Sequence, residues 1–241
     1  MNSEEMEQLK ANPRAGFNRA IRDRDVASCL VKTAEIHGHY CPGSAFGVMA
    51  TLMGLETLGG DTSQGMEDLM AIVEINACFA DGVQAVSGCT LGNNALVFRD
   101  LGKMAVTFAR RDGQNAVRVS IKGRIREHVD EVQPEFFLLM EKVIMARQGS
   151  PEEEKAFREK GRQAAFALID RPFDTYFKAA SVKAVLPPYA PIVPSLVCPG
   201  CGETVMGTKT VLEGDKKGYC LTCAGALISG VDGRGIGREF F

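Results

Sequence analysis

The residues with the clearest chemistry are four cysteines near the C-terminus. Cys198-Pro-Gly-Cys201 and Cys220-Leu-Thr-Cys223 are two C-x-x-C pairs separated by eighteen residues. Each short turn lets two thiolates face one ion, and the chain between the pairs folds them into a tetrahedron, which is the spacing of structural zinc. A redox dithiol would need one pair at a strand–helix junction, and an iron centre is the other rival. With all four ligands from protein, no position stays open for substrate, so this site reads as structural. Gly202 suits the tight knuckle beside the sulfurs. The 46 residues from Leu196 to Phe241 are too few for a core of their own, and metal binding supplies the missing folding energy.

The second concentration of chemistry is His37-Gly-His39-Tyr-Cys41-Pro-Gly43, which holds two of the chain's three histidines. Pro42 suits the first position of a helix, so Cys41 falls at a helix N-terminus. There the dipole favours thiolate. Two imidazoles and a thiolate within five residues match zinc, nickel or iron, with an open position for water or substrate. The alternative is that the histidines satisfy helix ends while Cys41 is a small buried hydrophobe. Cys78, after an apolar run, and Cys89, in the glycine-flanked Gly88-Cys-Thr-Leu-Gly92, are further candidates. Singly, each reads first as packing, Asp81 as a helix cap, Lys103 as solvated and Cys29 as core.

The elements that must position these residues follow from periodicity. A helix is predicted over 23–36, closed by Gly38, and an amphipathic one from Cys41 to about Leu58. Leu69–Ile75 reads as a buried strand with Glu74 as its polar exception, and Asp81-Gly-Val-Gln84 has capping-box spacing for a short helix ending near Gly88. Strands follow at 95–98, around Met104–Phe108 and around Val117–Ile121, the last two joined by a turn at Arg111–Asn115. Helices return over 135–147 and from Ser150-Pro-Glu-Glu153 to about Ile169. The organisation is therefore α+β, an antiparallel sheet with packed helices plus a small zinc-ribbon or treble-clef module. The domain reading is a core over 1–185, a proline-rich linker over 186–195 and the cysteine module over 196–241.

Charge and composition restrict the function classes. The 28 basic and 30 acidic residues nearly cancel, so no global field draws the chain to nucleic acid or an anionic membrane. The module itself balances five basic against five acidic residues, without the footprint that phosphate binding needs. It suits a protein contact or a lid. A polar, acidic start and the lack of a long apolar run predict no signal peptide, no membrane span and a cytoplasmic location. In a reducing cytosol eight cysteines favour metal ligation or catalysis over disulfides.

Four ordered motifs, His37-Gly-His-Tyr-Cys-Pro-Gly43, Glu74-Ile-Asn-Ala-Cys78-Phe-Ala-Asp81, Gly88-Cys-Thr-Leu-Gly92 and Phe98-Arg-Asp-Leu-Gly-Lys103, give the chain its resemblance to the FmdE family of formylmethanofuran dehydrogenase subunits. The match spans about Ala27 to Gly123, and the tail resembles a zinc finger appended in some members. The resemblance implies a dimerising α+β core with a metal site in a cleft. It carries site roles onto His37, His39, Cys41, Cys78, Asp81, Cys89, Thr90 and Lys103. Members often have a basic residue soon after the Cys-Pro-Gly start, where this chain has Gly47-Val-Met-Ala50. The function expected on this basis is an enzyme or enzyme subunit of one-carbon or redox metabolism acting on a small molecule. Its metal would be held by His37, His39, Cys41 and Cys78, with Cys89, Asp81 and Lys103 lining the pocket. Asp81 would orient an imidazole, and Lys103 would stabilise a developing anion. A homodimer, within a larger complex, is the expected assembly. The alternative is a non-catalytic metal carrier, sensor or assembly subunit.

Overall fold

A computed structural model describes residues 3–60, 62–111 and 115–240. The chain divides into two units, residues 1–186 and residues 187–241. Among the described residues no helix is long and apolar enough to cross a membrane.

The first unit is α+β. Its centre is α4 (Pro42–Thr57), whose sequence PGSAFGVMATLMGLET is buried on nearly every face. This differs from the amphipathic helix expected, because helices and sheet together enclose it. Small and apolar residues occupy positions that a surface helix would give to charge. The polar exceptions are satisfied locally: Thr51 Oγ1 donates to Gly47 O at 2.8 Å, and Ser44 closes the N-terminal capping box. Against α4 lie α3 (Val26–His37), α5 (Cys78–Ser87) and the long α8 (Pro151–Ile169). The helix α8 opens on a reciprocal Ser150–Glu153 box, as its sequence predicts.

The sheet has the order β2-β1-β3-β4-β5, with β1 (Leu69–Val73), β2 (Leu96–Phe98), β3 (Ala105–Arg110), β4 (Ala116–Ile121) and β5 (Phe177–Val182). All five residues of β1 are buried, which explains its unbroken apolar run. Pairing is antiparallel except between β1 and β2, where α5 intervenes as a crossover and the register sets Ala71 opposite Leu96. The turn predicted over 111–115 has its tip at 112–114, outside the described residues. The strand β5 was not anticipated: only its first residue is buried, and the Lys178-Ala-Ala-Ser181 stretch is exposed, so little alternation marks it. Phe46 of α4 meets Tyr176 and Phe177 edge-on, tying β5 to the central helix.

Two boundaries shift for local reasons. The helix α5 begins at Cys78 with Ala77 in the cap position, so Asp81 lies in the first turn and is not its cap. The helix expected over 135–147 is α7 (Glu135–Met140), continued by a π-helical turn over Glu141–Met145. Before α3, α1 (Ser3–Ala11) and α2 (Ala15–Arg22) precede the Asp25 cap, whose side chain accepts from Ser28 N–H. The short helices α6 (Ile125–Asp130) and α9 (Phe173–Tyr176) complete this unit.

The second unit is built of short elements. The strands β6 (Ser195–Val197) and β7 (Thr204–Met206) form a hairpin, α10 (Leu221–Ala224) follows, and β8 (Ile228–Asp232) pairs with β9 (Gly235–Glu239). Most of its side chains are exposed, with Cys198 and Thr210 among the few buried. It has little apolar core to hold it.

Candidate metal centre

Three helix ends converge in the first unit. The helix α3 finishes at His37, and Gly38, at φ 82°, turns the chain out of it. After Gly38-His39-Tyr40, Cys41 takes the N-cap of α4, its sulfur accepting Ser44 N–H at 3.4 Å. Cys78 is the first residue of α5. Both sulfurs therefore sit at positive helix ends, where negative charge is favoured.

Glycines let those ends meet. A Cβ added at Gly43 would lie 2.9 Å from Cys78 Cβ, at Gly47 2.2 Å from Phe79 O, and at Gly82 2.6 Å from Ser44 O. Any of these side chains would push α4 and α5 apart. The Gly43-Ser-Ala-Phe-Gly47 spacing is the signal that sequence reading passed over. It also explains why no side chain, basic or otherwise, fits at 47.

His37, Cys41 and Cys78 bring one imidazole nitrogen and two sulfurs within 4.8 Å of one another. His37 Nδ1 lies 2.7 Å from Asp81 Oδ2, which leaves Nε2, 3.5 Å from Cys41 Sγ, turned to the sulfurs. The electrostatics agree with this arrangement. Hydrogen bonding from Cys78, then from His37 and Ser44, pulls the Cys41 thiol down to about 3 against the effect of burial. The shared hydrogen bond with Cys41, and burial, push Cys78 up. Cys41, then Asp81, raise His37 to about 9. Negative charge in the pair is therefore favoured on Cys41, the sulfur that His37 and Ser44 also hold.

The donor set suits a metal. Two sulfurs and an imidazole are ligands for zinc, iron or nickel, and a tetrahedral ion held by these three would have one position left for another ligand. The Asp81 carboxylate on Nδ1 is the partner that fixes the tautomer and orientation of a ligating histidine.

The other predicted site residues are not among these three grouped donors. His39 is exposed, and its ring packs against that of His37 with centroids 4.3 Å apart. Cys89 is fully buried in the core, donating to Leu69 O at 3.2 Å, with burial raising its thiol to about 12. Thr90 and Asn93 close a turn through reciprocal bonds, Thr90 N–H to Asn93 Oδ1 and Asn93 N–H to Thr90 Oγ1. Lys103 is exposed beside β1, its N–H donating to Glu74 O. Glu74, buried at the end of β1, is held by both arms of Arg118 at 2.6 and 2.7 Å, and Arg118 keeps its carboxyl below the usual range. Cys29 is a core thiol raised by burial to about 11.

In the second unit the sulfurs of Cys198, Cys201, Cys220 and Cys223 also lie within 4.8 Å of one another. Gly202, at φ 75°, makes the first knuckle, while Cys220 caps α10 and accepts Cys223 N–H at 3.4 Å. The Cys220 and Gly200 N–H groups reach Cys198 Sγ at 3.3 and 3.4 Å. Backbone donation, chiefly from Cys220, draws that thiol down to about 6, whereas its neighbours, Cys220 foremost, raise Cys223 to about 12. Four sulfurs this close form a donor set for a single soft cation.

Comparison with known proteins agrees with this architecture. Residues 36–178 match the family described as FmdE, Molybdenum formylmethanofuran dehydrogenase operon. A probable S-adenosyl-L-methionine-binding protein of Archaeoglobus fulgidus is 38% identical over 225 residues, 91% of this chain and 58% of that protein. The chain thus spans less than two thirds of that relative's length. A crystal structure of an FmdE-like protein of the tungsten formylmethanofuran dehydrogenase type, from Syntrophus aciditrophicus, superposes with a TM-score of 0.50 at 22% identity. The superposition covers 83% of this chain and 92% of the other, a likeness of fold. Because the family match takes in more than half of the sequence, from the last turn of α3 to the start of β5, the chain belongs to the FmdE family.

Proposed function

We propose that the protein binds two metal ions, a zinc in the second unit and a reactive transition metal in the first. The first unit would then act as an enzyme or enzyme subunit of redox or one-carbon metabolism. The observation that carries this reading is the convergence of His37, Cys41 and Cys78 within 4.8 Å, with Asp81 on the far nitrogen of the imidazole. A metal there would supply Lewis-acid or redox chemistry to a small molecule at its open position. The protein's own groups do the rest. Asp81 holds the His37 ring so that Nε2 faces the sulfurs, and the N-termini of α4 and α5 stabilise thiolate. Ser44 N–H keeps the Cys41 sulfur in place.

In the second unit the four thiolates close the coordination shell, so that ion has a folding role. A homodimer, and membership of a larger enzyme complex, belong to the same reading. Its basis is the family and not a contact. Sedimentation at twice the 26.0 kDa chain mass would support the dimer. S-adenosyl-L-methionine, named for the Archaeoglobus relative, is one small molecule to titrate against the loaded chain.

The deciding experiment is metal content by mass spectrometry on the wild type and on Cys41→Ala. The expectation is two ions per chain, one lost in the variant while the C-terminal ion stays. A single ion indifferent to the substitution would overturn the core metal.

A further inference from the structure

The Gly38-His39-Tyr40 turn joins two of the candidate donors and also forms one wall of a groove of about 480 Å³. The opposite wall is α8, through Lys155, Arg158, Glu159 and Arg162. Positions 155, 158 and 162 recur at helical spacing and so share one face of α8. The two walls are held close: a Cβ at Gly161 would lie 3.1 Å from Tyr40 O, so α8 reaches the turn with no side chain between them. Tyr40 also packs on Phe166 of the same helix, centroids 5.2 Å apart. The groove is therefore bounded by a packed helix and a tethered turn.

Its charge is unbalanced. Three cations face it against one carboxylate, Glu159, which is already bonded by Arg162 at 2.6 and 3.1 Å. Arg158 has only a 3.8 Å approach to Glu154, and Lys155 has no ion-pair partner among the described residues. Surface ion pairs of this kind are weak and exchange readily for a better anion. The volume lies within the range of small-molecule sites, and both ends of the lining turn are cluster residues, His37 and Cys41.

The geometry points to a binding site for a small oxyanion-bearing molecule, a carboxylate or phosphate, in this groove. Lys155 and Arg158 are its counter-charges, and the turn leads from it toward the His37–Cys41–Cys78 cluster. The inference rests on the proposed core metal only for what the other end of that molecule would meet.

The test is an NMR titration of the isotope-labelled full chain, with inorganic phosphate and separately with succinate at low salt, reading the Gly38 and His39 amides. At least one anion should give saturable shifts, and the tighter of the two identifies the chemistry preferred. Lys155→Gln combined with Arg158→Gln should weaken that binding at least tenfold. Lys155→Glu, a single surface change, should weaken it as a second check. Shifts that do not saturate for either anion, or that persist unchanged in both variants, would overturn the site. Metal content measured on the same samples separates the two readings: saturable binding by a chain with no core ion would leave the groove standing and remove the metal.

Discussion

Asp81 Oδ2 lies 2.7 Å from His37 Nδ1, joining the first turn of α5 to the last turn of α3. This contact decides which imidazole nitrogen faces the sulfurs. Asp81→Asn keeps the shape and loses the charge, so it should lower core metal affinity about 10- to 100-fold while leaving the C-terminal ion in place. Chelator competition followed by metal analysis checks this, and an affinity within twofold of wild type would contradict it.

The α4–α5 crossing has no space for a methyl group at Gly47, because Phe79 O would lie 2.2 Å from it. Gly47→Ala should destabilise the first unit by about 1–3 kcal/mol, as overpacking does, and should also separate Cys41 from Cys78. Urea unfolding gives the first quantity and metal content the second. A variant with unchanged stability and both ions would mean that the helices can shift without affecting the cluster.

Glu74 and Arg118 give a pH-dependent contribution of known sign. Arg118 lowers the folded-state pKa of Glu74, so the stabilisation is present above the unfolded carboxyl value, about 4.3. It is lost as pH falls through the depressed folded value. Glu74→Gln should cost about 1–3 kcal/mol at neutral pH by weakening a hydrogen-bonded buried pair. The gap from wild type should narrow as the medium is acidified below about pH 4. Thermal melts of both proteins from pH 7 downward measure it, and a gap that widens in acid would refute the assignment.

Cys220 caps α10 and supplies one of four converging thiols. Cys220→Ala should release the C-terminal ion and unfold residues 187–241 while the first unit keeps its melting transition and its own ion. Hydrogen exchange resolved by peptide would show protection lost in the tail alone. Loss of protection throughout the chain would show that the two units are not independent.

Much of this was legible in the sequence because the signals are local. Gly38 ends a helix, Pro42 begins one, and Ser150-Pro-Glu-Glu153 forms a reciprocal cap, each through bonds within a few residues. The C-x-x-C pairs are local in the same sense: each knuckle aims two sulfurs by itself, and one loop brings the pairs together. Alternation located β3 and β4, whereas β5, exposed along most of its length, carried no such pattern.

What only the tertiary structure decided was the membership of the core cluster. His39 and Cys89 have donor atoms as suitable as those of His37 and Cys78, and residue type cannot separate them. The separation comes from helix packing. Gly43, Gly47 and Gly82 let α4 and α5 close until Cys41 and Cys78 meet, Gly38 leaves His37 facing them, and Cys89 is carried into the core beneath β1. Local bonding determines how each helix starts and stops. Which starts and stops meet depends on close packing between segments distant in the chain, and that has no counterpart in any short window of residues.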